Sequence, residues 1–243
     1  MDNIRAVLFD LDGTIYYGSK LIPEADQVVK KYRQEGKKIF FMTNNSTKSR
    51  KQIWEKLTGM GLKCSYDEVY TSGYAAALYA KQMGYHTVYI MGSKALEEEF
   101  GELDITVSDQ AEVVIVGYDM TFDYQKLTDA LQVAFHADKI IACNKERHYP
   151  GENAKRMPGC GAMVGALEGS LGREVDYSVG KPNPLLMEII CKDNDLRPEE
   201  VVVVGDTYES DIVMAQNYGS SAVYIGEEDH KDIKCIHAIG ELL

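Results

Sequence analysis

Short apolar runs alternate with longer amphipathic segments along most of the chain. Runs rich in β-branched residues predict buried strands at 5–9, 38–42, 68–71, 87–91, 113–116, 139–142, 201–204 and 222–225. Apolar positions at helical spacing predict helices at 23–35, 48–57, 75–83, 95–100, 125–135, 162–167, 184–191 and 210–217. Apolar strands that alternate with helices are typical of a parallel sheet covered on both faces. The predicted fold class is therefore α/β.

The middle of the chain differs from its two ends. From about residue 83 to 176 it has strand–helix units of its own, followed by a predicted long loop at 143–158 that is rich in polar residues. Loops of this length in compact domains are usually functional or disordered. The length of 243 residues fits one large domain or two small ones.

The balance of charged residues limits the classes of partner that the protein is expected to bind. The chain carries 26 basic and 38 acidic side chains, which gives a formal net charge of −12. Binding to a nucleic acid polymer or an anionic membrane through bulk charge needs a basic face, so this balance argues against both partners. It does not exclude a small anionic substrate, because the local charge at a site can oppose the global sign.

The ends and the cysteines favour a cytoplasmic location. The N-terminal segment lacks the basic region and long apolar run of a signal peptide. No apolar run approaches the ~20 residues that a membrane span needs. The five cysteines are scattered and form no C-x-x-C pair, which indicates a reducing compartment.

The first candidate chemistry follows the first predicted strand, where Asp10 and Asp12 lie in the segment FDLDGT. A carboxylate at the carboxyl end of a parallel strand points into the crevice where open α/β sheets bind ligands. A solvated turn is the alternative interpretation. A calcium-binding loop is excluded because position twelve, counted from Asp10, is Leu21 rather than a glutamate.

The second predicted strand ends in TNNS, which places Thr43 shortly before a helix. Free N–H groups and the helix dipole at such a position suit an anion. The alternative is that Ser46 or Thr47 simply caps the helix.

Two later turns carry charged groups that complement these motifs. Lys181 lies in a Gly-Lys-Pro turn before a helix, and Asp206 directly follows the apolar strand at 201–204. Asp211 lies at the start of the next predicted helix, where the favourable interaction of an acid with the helix dipole would be enough to explain its presence. The three acids Asp10, Asp12 and Asp206 suit Mg²⁺, whereas the hydroxyl of Thr43 and the ammonium of Lys181 suit phosphate oxygens. If the strands of Asp10 and Asp206 are neighbours, ~4.8 Å apart, one ion can bridge their carboxylates.

In this order, D-L-D-G-T, T-N-N-S, G-K-P and G-D-x-x-x-S-D-I resemble the four motifs of the haloacid dehalogenase superfamily. Their spacing, with a large insert between the second and third motifs, resembles the NagD-like phosphatase branch, which includes 4-nitrophenyl, phosphoglycolate and pyridoxal phosphatases. The resemblance covers essentially the whole chain. It implies a Rossmann-like parallel-sheet core at 1–82 and 177–243, with an inserted α/β cap domain at 83–176 that closes over the site and excludes water.

The resemblance also implies a Mg²⁺-dependent phosphatase that hydrolyses small phosphomonoesters of the nucleotide or sugar phosphate type. Asp10 would be the nucleophile that forms an aspartyl-phosphate, and Asp12 the general acid/base. Mg²⁺ would be held by Asp10, the backbone carbonyl of Asp12, and Asp206. Phosphate oxygens would be bound by Thr43, Lys181 and the backbone N–H groups of Asn44 and Asn45. Asp211 would orient Lys181 or support the metal site from beyond its direct ligands. Ser210 stands where the branch usually has a threonine.

Residues of the cap loop would meet the leaving group, and the candidates are Asn144, Glu146, His148 and Tyr149. The branch often has aspartate where Glu146 stands, so substrate specificity does not transfer. A solvated side chain is the alternative interpretation of His148. The substrate partner implied is a small phosphorylated metabolite, and caps in this branch often mediate homodimers.

Other classes of function fit the sequence less well. A phosphomutase or related phosphotransferase usually has a small helical cap after the first motif, and residues 14–23 are too few for one. A phospho-signalling receiver module would take the phosphoryl group on its third strand, which here ends at Tyr70 and Thr71 without an acid. A non-catalytic protein that binds phosphate and Mg²⁺ would be distinguished by a kinetic assay.

Overall fold

Two parallel sheets dominate this computed structural model, in which residues 3–150, 155–228 and 230–243 are described. In chain order the strands are β1 (Ala6–Asp10), β2 (Tyr16–Tyr17), β3 (Lys20–Leu21), β4 (Lys38–Thr43), β5 (Val69–Thr71), β6 (Thr87–Met91), β7 (Thr106–Val107), β8 (Val113–Val116), β9 (Lys139–Ala142), β10 (His148–Pro150), β11 (Arg156–Pro158), β12 (Tyr177–Ser178), β13 (Val201–Gly205), β14 (Ser221–Ile225) and β15 (Lys234–Ile236).

Helices connect most of these strands. They are α1 (Ala25–Gln34), α2 (Arg50–Gly59), α3 (Ser72–Gln82), α4 (Lys94–Gly101), α5 (Tyr124–Ala134), α6 (Cys160–Leu171), α7 (Leu185–Asn194) and α8 (Val213–Tyr218). A π-helical turn, Tyr208–Ile212, precedes α8 directly, and short 3₁₀ helices span Tyr66–Glu68, Pro198–Glu200 and Ile239–Leu242. Within the described ranges, no helix has both the length and the apolar content needed to cross a membrane.

Contacts within the chain divide it into two compact units. The first contains Met1–Thr43, Lys51–Tyr70 and Lys181–Leu243, and the second contains Asn44–Arg50 and Thr71–Gly180. The second unit includes the whole predicted cap segment, together with 44–50, 71–82 and 177–180. The assignment of 1–82 and 177–243 to a core domain and 83–176 to a cap domain stays a prediction.

The first unit is built on a sheet of order β15-β14-β13-β1-β4-β5. The pairs of β1 with β4 and β13, and of β14 with β13 and β15, are all parallel. All five residues of β1 are buried, and the rings of Phe9 and Phe41 stack with centroids 6.2 Å apart. The chain builds outward from β1 through β4 and β5 and later returns on its other side through β13. This reversal of strand order creates a crevice at the carboxyl ends of the strands.

The second unit has a parallel sheet of order β12-β9-β8-β6-β7. Strand β8, Val-Val-Ile-Val, is fully buried, as expected for a parallel strand with both faces covered. The strand–helix units predicted for the middle of the chain are therefore confirmed.

The predicted strands and helices are present, with shifted ends, and two predictions need correction. The segment 143–158 is not simply a loop, because β10 and β11 pair antiparallel within it, Tyr149 opposite Met157. The helix predicted at 210–217 starts as the π-helical turn at Tyr208. The sequence patterns also missed β2, β3, β7, β12 and β15, which are only two or three residues long.

Candidate active site

The ends of three neighbouring strands bring chemical groups to one edge of the first sheet. Phe9 is level with Val204 across the β1–β13 pair, so Asp10 and Asp206 leave adjacent strands at nearly the same height. Thr43, the buried last residue of β4, lies on the other side of β1. The predicted adjacency of the strands that carry Asp10 and Asp206 is confirmed.

Lys181 links two of the acids in this unit. Its Nζ donates hydrogen bonds to Asp10 Oδ1 at 2.5 Å and to Asp211 Oδ1 at 2.6 Å. All three side chains are more than nine-tenths buried. A buried ammonium is tolerated only when it is paired in this way. Lys181 therefore has a fixed position between two carboxylates.

The charged side chains of this site shift one another's pKa values. Burial raises the pKa of Asp10, Lys181 pulls it down, and Asp211 and Asp206 add to the rise, so that it ends well above its usual value. Burial and the charge of Asp211 raise the pKa of Asp206 to about 6. For Lys181, burial lowers the pKa, but Asp10 and Asp211 outweigh it and raise the pKa overall. Two buried carboxylates and the partly buried one of Asp206 thus share one ammonium, and their remaining repulsion would be relieved by another cation.

The donor set fits a hard divalent cation. Carboxylate oxygens of Asp10, Asp206 and Asp211 all lie within 4.8 Å of one another. Oxygen ligands of this kind are those that Mg²⁺ prefers. Asp211 was predicted only as a supporting residue, and it belongs to this group of three acids. Asp12, predicted to contribute its backbone carbonyl, is not one of the three carboxylates.

Asp12 has a separate and more exposed environment. Its Oδ2 accepts a hydrogen bond of 2.9 Å from the hydroxyl of Tyr16, a fully buried residue. Burial, followed by the charge of Asp12, raises the pKa of Tyr16, so the phenol remains a donor. Lys56 Nζ lies 3.4 Å from the centroid of the tyrosine ring. Tyr16 is a site residue that the sequence interpretation missed, since a tyrosine four residues after Asp12 has no motif of its own.

The turn after Asp12 contributes two further contacts that sequence reasoning did not assign. Gly13 has a φ of +90°, and a Cβ at this position would lie 2.1 Å from Asp206 Oδ2. Thr14 Oγ1 donates to Asp206 Oδ1 over 3.4 Å. The glycine of D-L-D-G-T is therefore required by both its backbone conformation and its close approach to Asp206.

The segment after Thr43 belongs to the second unit, where Asn44 is held on several sides. Its carbonyl oxygen accepts hydrogen bonds of 2.7 Å from Ser72 Oγ and from Asn144 Nδ2. Its own Nδ2 donates to Glu146 Oε1 at 2.8 Å. Two of the predicted cap-loop residues, Asn144 and Glu146, thus bind the motif residue Asn44.

The next residues of this segment are also fixed. Asn45 Oδ1 accepts from the backbone N–H and the hydroxyl of Thr47, which forms a local turn. Ser46 Oγ accepts from the backbone N–H of Tyr118 at 2.8 Å. Because α2 begins at Arg50, neither Ser46 nor Thr47 is positioned to cap it, and the capping alternative is wrong.

The other two cap-loop candidates lie on β10. The hydroxyl of Tyr149 is 2.8 Å from that of Tyr118, and their rings meet edge to face. His148 is exposed and opposite Pro158 in the β10–β11 pair. Tyr118 is a neighbour that sequence reasoning did not single out as a site residue. Ser210 is buried in the π-helical turn, beside Asp211 in sequence.

Comparisons with known proteins agree with the architecture of both units. The family model described as haloacid dehalogenase-like hydrolase matches residues 7–106, and one for related hydrolases matches residues 178–238. The chain is 33% identical over 223 residues to the sugar-phosphatase AraL of Bacillus subtilis, covering 90% of this chain and 82% of that protein. The chain belongs to the haloacid dehalogenase-like hydrolases. The predicted class of enzyme, a phosphatase-type hydrolase of this family, is confirmed.

Solved structures of haloacid dehalogenase-like hydrolases have the same fold. A 4-nitrophenylphosphatase from Thermotoga maritima superimposes with a TM-score of 0.92 at 26% identity, covering 99% of this chain and 97% of that one. A glycerol phosphate phosphatase from Mycobacterium tuberculosis, solved in complex with magnesium, has a TM-score of 0.84 at 28% identity, covering 94% and 70%. The predicted Rossmann-like α/β fold of the NagD-like branch is confirmed.

Proposed function

We propose that this haloacid dehalogenase-like hydrolase is a Mg²⁺-dependent phosphatase that cleaves small phosphomonoesters through an aspartyl-phosphate on Asp10. The main support is the buried array in which Lys181 binds both Asp10 and Asp211, with Asp206 on the adjacent strand. Relatives named as sugar, phosphoglycolate and glycerol-3-phosphate phosphatases support a small phosphorylated metabolite as substrate. A sugar phosphate or a nucleotide is the favoured substrate class.

In this mechanism an Asp10 carboxylate oxygen attacks phosphorus, and the bond from phosphorus to the ester oxygen breaks. Lys181 holds Asp10 in position, and its positive charge favours the ionised, nucleophilic form of the carboxylate. Thr43 and Lys181 bind phosphoryl oxygens, together with the backbone N–H groups of Asn44 and Asn45. Mg²⁺, held by Asp10, Asp206 and the backbone carbonyl of Asp12, would supply the charge that offsets repulsion between two anions.

Asp12 moves the proton in both steps. It first protonates the leaving alkoxide oxygen, which departs as an alcohol. It then accepts a proton from the water that attacks the aspartyl-phosphate, so that inorganic phosphate leaves and Asp10 is regenerated. The exposure of Asp12 and its hydrogen bond from Tyr16 support this role, because the carboxylate is accessible and has a fixed orientation.

Substrate selection is proposed to involve the cap loop. Asn144, Glu146, His148 and Tyr149 would meet the leaving group, with Asn144 and Glu146 also binding Asn44. The cytoplasmic location and a homodimer formed through the cap stay predictions.

The test is phosphate release from 4-nitrophenyl phosphate and a panel of phosphorylated metabolites, with Mg²⁺ or with EDTA. We expect Mg²⁺-dependent turnover in the wild type and none in Asp10→Asn purified in parallel, which controls for contaminating phosphatase. Mass spectrometry after an acid quench should find phosphate on Asp10. Equal phosphate release by the wild type and Asp10→Asn would contradict the role of Asp10, whereas no release above the buffer background by the wild type would favour a non-catalytic binding protein. Transfer to a second metabolite rather than to water would indicate a phosphotransferase.

A further inference from the structure

Three aromatic side chains of the first unit pack together beside the turn that carries Asp206 and Asp211. The rings of Tyr208 and His230 stack with centroids 3.8 Å apart and an interplanar angle of 25°. The ring of Tyr224 meets both edge-on, with centroids 5.1 Å from His230 and 5.9 Å from Tyr208. Stacked and edge-to-face rings at these distances attract each other beyond the burial of their surface. We refer to Tyr208, Tyr224 and His230 as the ring cluster.

Each ring is attached to a different part of the first sheet. Tyr208 is the first residue of the π-helical turn Tyr208–Ile212, two residues after Asp206. Tyr224 lies on β14, level with Gly205 at the end of β13. The backbone of His230 is held near β15, because its N–H donates to Cys235 Sγ at 3.4 Å. The ring cluster therefore ties the turn to the two outer strands of the sheet.

The His230 side chain contributes mainly as a ring. Its Nε2 is buried and has no hydrogen-bond partner within residues 3–150, 155–228 and 230–243. A buried ring nitrogen without a partner adds no favourable hydrogen bond. The ring contacts with Tyr208 and Tyr224 are therefore the interactions that hold this side chain in a defined position.

The turn needs such support because the groups that it carries repel each other. Asp206 and Asp211 offer carboxylate oxygens within 4.8 Å of each other. Asp211 is fixed by Lys181 and by the backbone N–H of Thr207. In the described chain, the side chain that donates to Asp206 is Thr14, over a long 3.4 Å. The position of Asp206 thus depends largely on the backbone of the turn, and π-helical turns are rare structures that frequently occur at functional sites.

We propose that the ring cluster is a positioning device that fixes the turn and thereby sets the affinity of the acidic site for Mg²⁺. Stacking of Tyr208 on His230 restrains the backbone two residues beyond Asp206, so less ordering is needed when a cation is bound. This inference rests on the proposed function, which makes Asp206 a metal ligand. The ring cluster itself touches neither the metal nor the substrate.

The experiment is calorimetric titration of Mg²⁺ into EDTA-treated and dialysed full-length protein. We expect His230→Ala and Tyr208→Ala each to raise the Kd for Mg²⁺ about three- to ten-fold, the range of a lost aromatic stack. His230→Phe and Tyr208→Phe keep the rings and should retain the wild-type Kd. The Mg²⁺ concentration for half-maximal 4-nitrophenyl phosphate hydrolysis should rise in parallel, with kcat at saturating Mg²⁺ unchanged.

Controls separate this role from a loss of stability. Tyr79→Ala removes a comparable stack, that of Tyr79 on Tyr177 with centroids 4.7 Å apart in the second unit, and should leave the Kd unchanged. If His230→Ala does not fold, His230→Leu fills the same space without an aromatic ring and should show the same weakening.

The outcomes distinguish the two proposals. A wild-type Kd in the folded alanine or leucine variants would overturn the positioning role, as would a His230→Phe variant that binds as weakly as His230→Ala. Absence of Mg²⁺ binding by the wild type would instead overturn the metal assignment on which this role rests.

Discussion

Gly13 and the carboxylate of Asp206 lie so close together that no side chain fits at position 13. A Cβ on residue 13 would lie 2.1 Å from Asp206 Oδ2 and 2.6 Å from its Cγ, and the φ of +90° already disfavours a side chain. The first and fourth motifs are therefore in direct van der Waals contact, and the position of the Asp206 carboxylate depends on the absence of a side chain at residue 13.

Replacing this glycine should impair the metal site more than the fold. We expect Gly13→Ala to displace Asp206 and to reduce Mg²⁺ affinity or activity about 10–100-fold, as is typical when a neighbour that orients a metal ligand is changed. Gly18→Ala is the matched control, because Gly18 also has a positive φ, +60°, but nothing lies within 4 Å of its added Cβ. Titration of Mg²⁺ against activity measures both variants, and similar losses in the two would show that backbone strain alone is responsible.

Removing the buried lysine should cost both activity and stability. Lys181→Met leaves Asp10 and Asp211 without their shared cation, and breaking a buried ion pair in this way costs about 3–5 kcal/mol. Urea unfolding in EDTA should report this loss. The double variant Lys181→Met/Asp211→Asn removes one of the stranded charges and should recover part of the stability but none of the turnover. A double variant no more stable than Lys181→Met would contradict the proposed charge balance.

The protonation of Asp206 predicts a pH dependence for metal binding. Its pKa is raised from 3.8 to about 6, so the folded protein binds a proton more tightly than the unfolded chain does. Without metal, this residue's contribution to stability is therefore greatest at low pH and falls as the pH rises from about 4 to 6. Mg²⁺ competes with that proton, so the rise in melting temperature on adding Mg²⁺ should be small at pH 5 and large at pH 7. Asp206→Asn should lose this Mg²⁺-dependent stabilisation, and an equal effect at both pH values would contradict the assignment.

A second buried acid predicts a pH effect that is independent of metal. Glu99 in α4 accepts hydrogen bonds from the backbone N–H of Arg50 and from Thr71 Oγ1, and burial raises its pKa from 4.5 to about 7. Since the folded state favours the protonated form, stability should decrease by roughly 3 kcal/mol as the pH rises from about 4.5 to 7.

Glu99→Gln tests this effect, because the amide keeps an acceptor oxygen but does not ionise. Unfolding in EDTA between pH 5 and 8 should give a flatter stability curve for Glu99→Gln than for the wild type. Glu98→Gln, at an exposed position of the same helix, serves as the control and should keep the wild-type slope. Parallel curves for the wild type and Glu99→Gln would rule out Glu99 as the source.

Local patterns were sufficient to predict the strands that position the site. The apolar run before Asp10 and the run before Asp206 each form a buried strand, and polar groups at strand ends predicted one site before the strand order was known. The identity of the neighbours of Asp206 could not be predicted this way. Contacts with Gly13 and Thr14 join residues more than 190 positions apart and leave no periodic signal.

The short elements were missed for a different reason. Two paired strands of three residues each, β10 and β11, lie in a segment rich in charged residues, where alternation over so few positions cannot be recognised. The stack of Tyr208 on His230 is likewise unpredictable, because each aromatic residue alone is an ordinary side chain in a loop or turn.

The hydrogen bonds of Asn44 have a consequence for protein engineering. Its backbone carbonyl and its carboxamide are bound by Ser72, Asn144 and Glu146, all from later parts of the second unit. A chimera that exchanged only residues 83–176 with those of a relative would retain Asn44 but replace two of its three partners. Exchanging residues 44–50 and 71–180 together would keep Asn44 with all three of its partners. The second unit as a whole, rather than residues 83–176 alone, is therefore the segment to exchange between relatives.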